Sequence, residues 1–159
     1  MNKNLKISII TVAFNSVKTI QDTIESILLQ DYKNIEYIII DAGSSDGTVK
    51  IIKSFGDKIT YFTSESDNGI YDGMNKGIKA ASGDLIGILN SDDFYPNNFI
   101  LSNVAKTFVN HQCDAVYGDL VYVKDYDKNK IVRYWQAGDY RNDASSVGCL
   151  LRVRRGQGQ

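Results

Sequence analysis

Proline, histidine and cysteine are scarce in this chain, whose 159 residues contain one proline, one histidine and two cysteines. Cys113 and Cys149 have no CxxC spacing and no further cysteines to complete a zinc site, and two isolated cysteines do not make a disulfide scaffold. A reduced cytosolic compartment fits this cysteine usage. We therefore expect neither a thiolate metal centre nor a small disulfide-rich secreted fold.

Long apolar runs are also absent. None approaches the ~18 residues that a membrane span needs, and the start MNKNLKISII lacks the cleavage pattern of a signal peptide. We therefore expect a cytoplasmic protein, with action at the cytoplasmic face of the membrane left open.

Neither sign of charge is in excess. The formal net charge is −1, whereas nucleic-acid-binding proteins usually carry a basic excess or stripe, so we expect no nucleic-acid partner. The one basic cluster, Arg152, Arg154 and Arg155, falls near the end of the chain. Binding of acidic lipid is an alternative role for it, although no amphipathic helix accompanies the cluster.

What the chain does contain is an alternation of strand and helix patterns. Its length suits a single domain over residues 1–159 with its own core. Because strand and helix alternate four times, we expect an α/β fold with a parallel sheet and helices on both faces. The predicted strands are 5–12, 35–40, 58–63, 84–89, 114–123 and 130–135, and the predicted helices are 17–30, 46–54, one from Ile70 to Ala81, and 97–110.

Polar residues follow each of the first four predicted strands. The carboxyl ends of parallel strands line the ligand crevice of an open sheet, so these residues should meet at one edge. Asp and Asn are also common turn and cap residues, which is the alternative explanation for any one of them. The four sets are Thr11, Ala13 and Asn15; Asp41; Glu65, Asp67 and Asn68; and Asn90, Asp92 and Asp93.

The Asp92–Asp93 pair suggests a bound cation. Two like charges 4 Å apart repel by about 4 kcal/mol at an effective dielectric constant near 20, so a partly buried pair should raise a pKa or recruit a cation. Oxygen ligands suit Mg²⁺ or Mn²⁺, which keeps open positions for phosphates. The sequence lacks GxGxxG and GxxxxGK[ST], so we expect a nucleotide diphosphate held by a metal, with Asp41 accepting hydrogen bonds from its ribose or base.

Four segments in order resemble the inverting family 2 glycosyltransferases, most nearly the bacterial enzymes that build cell-surface polysaccharides. They are ISIITVAFN, YIIIDAGSSDGT, DNGIYDGMNKGIKAASGDLIGILNSDD and YGDL, and the resemblance covers about residues 5–135. It implies a Rossmann-like, mostly parallel sheet of the GT-A type that binds a nucleotide-sugar with a divalent metal, Mn²⁺ or Mg²⁺.

The resemblance also implies roles for individual residues. Two departures are notable: Asn90 stands where many relatives have Asp, and Met74 where many have Arg. Because of both departures, the metal must neutralise more of the negative charge of the diphosphate. By motif position, Thr11, Ala13 and Asn15 line the nucleotide pocket, Asp41 contacts base or ribose, Asp46 supports that loop, Asn75 and Gly77 border the donor pocket, Asp93 is a metal ligand, and Asp92 contacts the ribose or shares the ion.

The implied reaction is metal-dependent transfer of a sugar, with inversion, from a UDP-, GDP- or dTDP-linked donor to a saccharide or lipid-linked acceptor. We assign no general base, because the resemblance places it in an acceptor half beyond the end of this chain. Residues 144–159 form an atypical tail, which we interpret as truncated or frameshifted. Homo-oligomerisation stays open.

Two other functions compete with transfer. The first is a non-catalytic remnant that only binds nucleotide-sugar. The second is a Mg²⁺-dependent phosphotransfer module, which is disfavoured because the first strand ends in TVAFN without a carboxylate.

Overall fold

A computed structural model describes residues 4–124, 127–137 and 150–153. Six strands form the main sheet in the order β3-β2-β1-β4-β8-β5, and β6 and β7 form a separate two-stranded sheet. The strands are β1 Ile7–Ala13, β2 Ile35–Asp41, β3 Tyr61–Ser64, β4 Leu85–Ile88, β5 Ala115–Val116, β6 Leu120–Lys124, β7 Asp127–Trp135 and β8 Leu150–Arg152, and the helices are α1 Ile20–Leu28, α2 Thr48–Ser54, α3 Ile70–Ala80 and α4 Ile100–His111, with a 3₁₀ turn at Gly56–Lys58.

The first four strands are parallel to one another, as the alternation of patterns predicts. β1 is buried along its whole length and β2 from its second residue onward, which explains why both read as continuous runs of β-branched residues rather than as alternating ones. The mostly parallel α/β sheet is therefore confirmed.

Helices cover both faces of the sheet, which is also confirmed. One core cluster joins Ile7 and Ile9 of β1 to α1, α2 and α4, through residues such as Ile24, Ile52 and Phe108. A smaller cluster on the other face contains Ile10, Val12, Ile38 and Ile40, with Met74 of α3 packed against it. Among the described helices, none is long and apolar enough to cross a membrane.

One sequence prediction about the second half of the chain was wrong. The run 114–123 is two strands in different sheets, since β5 pairs with β8 whereas β6 forms a hairpin with β7. Leu150–Arg152, within the tail that we interpret as atypical, forms β8 between β4 and β5 and runs antiparallel to both. A three-residue strand is too short to show a period. Cys149, Arg154, Arg155 and most of the predicted tail lie outside the described residues.

Candidate functional site

The carboxyl ends of β3, β2, β1 and β4 lie side by side at one edge of the sheet. The parallel register places Ala13 opposite Asp41, and Asp41 opposite Ser64. β4 lies on the other side of β1, with Ile88 opposite Ile10. We call this border, with the loops that follow these strands, the ligand edge, because open parallel sheets bind ligands there.

Asp41 organises the loop that follows β2. The residue is fully buried, and its Oδ2 accepts hydrogen bonds from Gly43 N, Ser44 N and Ser64 Oγ at 3.1, 2.9 and 2.7 Å. Its Oδ1 accepts a further bond from Ser44 Oγ. In this structure the carboxylate therefore holds the loop, and its predicted contact with a base or ribose stays a prediction.

Asn15 and Asp46 join the loops after β1 and β2. Asn15 has a φ of 49°, a left-handed conformation that Asn tolerates better than most residues, and its Oδ1 accepts a hydrogen bond from Ser45 N at 3.1 Å. The Asp46 carboxylate accepts bonds from Thr48 Oγ1 and Thr48 N, and from Val17 N. The hydroxyl of Thr48 is the largest of the influences that lower the pKa of Asp46. Asp46 thus connects Thr48 to Val17, and its predicted place in a nucleotide site stays a prediction.

The side chains of Thr11 and Ala13 lie in the core beneath the ligand edge. Thr11 is fully buried, with its hydroxyl 3.2 Å from the hydroxyl of Tyr37, and Ala13 is 1% exposed. Burial of the Tyr37 phenol raises its pKa. The prediction that Thr11 and Ala13 line a nucleotide pocket can therefore concern only their backbone, and it stays a prediction.

Asn90 to Asp93 form a turn directly after β4. Asp93 N donates to Asn90 O at 3.1 Å, and Asn90 Nδ2 donates to the Asp93 carboxylate at 3.2 Å. That bond turns Nδ2 of the Asn90 amide toward Asp93. The other end of the amide, Oδ1, is buried and has no hydrogen-bond partner among the described residues. We call residues 90–93 the acidic turn.

The acidic turn has the oxygen atoms and the charge that suit a hard divalent cation. Asp92 and Asp93 are exposed residues, although protein atoms around the Asp93 carboxyl group partly desolvate it. This desolvation and the Asp92 charge raise the pKa of Asp93, and the hydrogen bond from Asn90 opposes the rise. Carboxylate oxygens are the ligands that Mg²⁺ or Mn²⁺ prefers. No group of three His, Cys, Asp or Glu side chains gathers as a metal site in the described part of the chain. The residues fit an ion that is shared with a ligand.

A path of short contacts connects the Asp41 loop to the acidic turn. Asn15 N donates to Ser44 Oγ at 2.8 Å, and Ser44 Oγ in turn donates to Asp41. The next residue, Ser16, places its hydroxyl 2.7 Å from that of Ser91, which directly precedes Asp92. The path brings the Asp41 loop, Asn15 and Ser91, the residue before Asp92, together at the ligand edge.

Asn75 lies on α3, which covers the other face of the sheet. Asn75 is exposed, and Gly77 packs on β1. Lys76 contacts Glu65 at 3.1 Å and Asp72 at 3.5 Å, so these carboxylates neutralise it. The predicted contact between Asn75 and a donor stays a prediction.

Sequence reasoning missed four hydroxyl residues of this site. Ser44, Ser16 and Ser91 contribute the hydroxyl groups of the path described above. Thr23 of α1 donates to the backbone of the acidic turn. Serines in loops give no pattern. Thr23 does leave a signal, because it begins a polar series with Ser26 and Gln30 at helical spacing beside the apolar face of α1.

Comparisons with known sequences agree on one family. The family described as Glycosyl transferase family 2 matches residues 8–154. An uncharacterised glycosyltransferase of Mycobacterium tuberculosis is 43% identical over 101 residues, which are 63% of this chain and 38% of that protein. Glycosyltransferase GlyG of Streptococcus pneumoniae is 30% identical over 77% of this chain and 42% of its own length. This chain therefore spans well under half the length of these relatives.

Solved structures share the fold. TarS of S. aureus, in complex with UDP-GlcNAc, aligns over 75% of this chain and 34% of its own, with a TM-score of 0.65 and 25% identity. A mannosyltransferase of Pyrobaculum calidifontis, in complex with GDP-Man and Mn²⁺, aligns over 79% of this chain and 37% of its own, with a TM-score of 0.66 and 20% identity. Since the family match spans nearly all of the described residues and the fold agrees with it, the chain belongs to glycosyl transferase family 2.

Proposed function

We propose that this chain is the donor-binding part of a metal-dependent glycosyltransferase. It transfers a sugar, with inversion, from a nucleotide-diphosphate donor to a saccharide or lipid-linked acceptor in the synthesis of cell-surface polysaccharide. The observation that carries the proposal is the hydrogen-bonded path from Asp41 through Ser44 and Asn15–Ser16 to the acidic turn. It brings the loop that the buried Asp41 carboxylate holds close to the acidic turn at the ligand edge, where a nucleotide diphosphate can contact both.

Unsatisfied oxygen atoms support this placement of the ligand. Asn90 Oδ1 and Asp67 Oδ2 are buried without a hydrogen-bond partner among the described residues, and both follow the carboxyl end of a strand. Leaving a buried polar atom unpaired costs about 1–3 kcal/mol, so such atoms suggest a partner that arrives with the ligand.

The residues that would hold the metal are Asp93 and Asp92. When bound there, Mn²⁺ or Mg²⁺ would act as a Lewis acid toward the diphosphate. Without the ion, the two adjacent carboxylates would repel that diphosphate. Lys76 of the α3 motif is paired with Glu65 and Asp72.

In the proposed reaction the acceptor hydroxyl oxygen forms a bond to the anomeric carbon of the sugar from the face opposite the diphosphate. The carbon–oxygen bond to the diphosphate breaks, and the diphosphate leaves with the electron pair. The hydroxyl proton passes to a general base, which we do not assign. The complexes of TarS with UDP-GlcNAc and of the mannosyltransferase with GDP-Man and Mn²⁺ support both the donor class and the metal.

Calorimetric titration of the protein with UDP, GDP and dTDP, each with and without Mn²⁺, tests this proposal. We expect one nucleotide to bind in a Mn²⁺-dependent way. Asp93→Ala should weaken that binding by roughly 100-fold, because it removes a charged ligand worth about 3 kcal/mol. Asp57→Ala, which changes an exposed aspartate in the 3₁₀ turn before β3, is the matched control and should bind normally.

Two results would count against the proposal. Unchanged Mn²⁺ dependence in Asp93→Ala would refute the metal assignment. If labelled donor binds saturably but is neither hydrolysed nor transferred, the chain is a nucleotide-sugar-binding remnant rather than a transferase.

A further inference from the structure

Helix α1 carries a buried polar stripe beside its apolar one. Thr23, Ser26 and Gln30, which follows the helix, are 1%, 9% and 1% exposed, although they stand among core residues such as Ile24 and Ile27. Buried polar groups need hydrogen-bond partners, and all three find them between the end of β4 and the first turn of α4. Thr23 bonds to Ser91 O and Asp93 O, Ser26 Oγ accepts from Tyr95 N, and Gln30 bonds to Asn97 O and Leu101 N.

The Thr23 hydroxyl lies between two carbonyl groups of the acidic turn. Its Oγ1 is 3.0 Å from Ser91 O and 2.8 Å from Asp93 O, so its one proton is shared between the two residues that flank Asp92. A threonine inside a helix usually donates to the carbonyl four residues earlier. Here that contact, to Thr19 O, is the longest of the three, at 3.5 Å.

This contact acts on a turn whose side chains repel one another. Asp92 and Asp93 are adjacent, and like charges at this separation repel one another. Without attachments the turn would relax by moving the two carboxylates apart. The Ser16–Ser91 contact holds the side chain of Ser91, and Thr23 holds the backbone on both sides of Asp92.

We propose that Thr23 is a positioning residue for the donor site. Its shared hydrogen bond keeps the carboxylates of Asp92 and Asp93 close enough together to bind one divalent cation and, through it, a nucleotide diphosphate. This inference rests on the proposed function of the acidic turn. Thr23 itself contacts neither the metal nor the nucleotide, since it is buried beneath the turn.

The test compares Thr23→Val, which keeps the shape and removes the hydroxyl, with Thr23→Ser, which keeps the hydroxyl. Mn²⁺ affinity is measured from the electron paramagnetic resonance signal of free Mn²⁺, and nucleotide affinity by calorimetry with the nucleotide that the wild-type protein binds. We expect Thr23→Val to weaken both by about tenfold, as is typical when a residue that supports a metal ligand is lost. Thr23→Ser should stay within about threefold of the wild type by the same argument.

Thr107→Val is the matched control. It makes the same chemical change at a hydroxyl that donates within α4, to Asn103 O at 2.9 Å. It should leave both affinities unchanged. Rescue by serine is the result that a purely packing role would not produce, because serine lacks the methyl group and keeps only the donor.

Thr23→Cys covers the case in which the valine variant does not fold, since a thiol is a weak donor of similar size. The expected order of affinity is wild type and serine, then cysteine, then valine. A folded valine or cysteine variant with wild-type affinities overturns the role of Thr23 and leaves the proposed function standing. If the wild-type protein binds no nucleotide with Mn²⁺, both proposals fall.

Discussion

Gly77 shows how a single residue sets the distance between α3 and the sheet. A Cβ built on Gly77 would lie 2.4 Å from Cγ2 of Ile10, and one on Gly73, a turn earlier, would lie 2.7 Å from Cγ1 of Val12. Ile10 is fully buried in β1, and its Cγ2 is bonded directly to Cβ, so it cannot move aside without turning the whole side chain in a packed core. The two glycines therefore allow α3 to approach the strand that leads to the ligand edge.

We expect Gly77→Ala to lower the free energy of unfolding by about 1–3 kcal/mol, because overpacking outweighs the gain in helix propensity. Urea denaturation followed by circular dichroism measures this change. The matched control is Gly118→Ala, where an added Cβ would meet no atom within 4 Å. The control should stay within about 0.5 kcal/mol of the wild type. Equal stability of both variants would show that the helix can move away from β1 at little cost.

At the scale of elements, α1 connects the sheet to the chain between β4 and α4. Its apolar residues pack on the sheet, and its buried polar residues bond to backbone groups of residues 91–101. Bonds to the backbone hold this connection without depending on its side chains. The backbone of the acidic turn is therefore held in place although the adjacent carboxylates of Asp92 and Asp93 repel each other.

Gln30→Leu should lower the free energy of unfolding by about 1–3 kcal/mol. The substitution leaves the buried Leu101 N without the partner that it has in the wild type, and it also removes the bond to Asn97 O at an exposed residue. The control is Gln21→Leu, at an exposed position of α1 where the side chain bonds only to Glu25. Denaturant titration of the two variants should separate them clearly. Similar losses would mean that the bonds of Gln30 contribute little.

At the scale of the whole molecule, polar oxygen atoms at the two edges of the sheet differ in their hydrogen-bond partners. At the edge opposite the ligand edge, the Glu36 carboxylate accepts hydrogen bonds from Lys6 Nζ, Ser8 Oγ and both the amide and hydroxyl of Ser82. Burial by itself would raise the pKa of Glu36, but these bonds together lower it to about 2. The Glu36 carboxylate at one edge is thus well supplied with hydrogen-bond donors, whereas the ligand edge has buried oxygen atoms without partners among the described residues.

Glu36 should make the stability of the whole protein depend on pH. Its pKa is lower in the folded state than its ordinary value of 4.5, so its contribution is complete above that value and is lost as the pH falls toward about 2. We expect Glu36→Gln to cost roughly 1–3 kcal/mol near neutral pH, and the cost should shrink as the solution is acidified. Thermal melting of both proteins from pH ~7 to ~2.5 measures the effect. A difference that stays constant over this range would contradict the role of the charge.

Much of the fold and the location of the site were predictable from the sequence because they depend on local patterns. Continuous β-branched runs predict buried strands, and their alternation with helices predicts a parallel sheet. The rule that ligands bind at the carboxyl ends of such strands then selects Asp41, Asn15 and the aspartate pair. Each of these steps uses neighbouring residues only.

Tertiary structure decided how the site is built, because its contacts join residues that are distant in sequence. Ser16 meets Ser91 across 75 positions, and Thr23 meets the same residue's carbonyl across 68. Burial of the Asp41 carboxylate, the unpartnered Asn90 oxygen and the insertion of β8 between β4 and β5 arise in the same way. Periodicity along the chain carries no information about such contacts, since they exist only once the elements have packed.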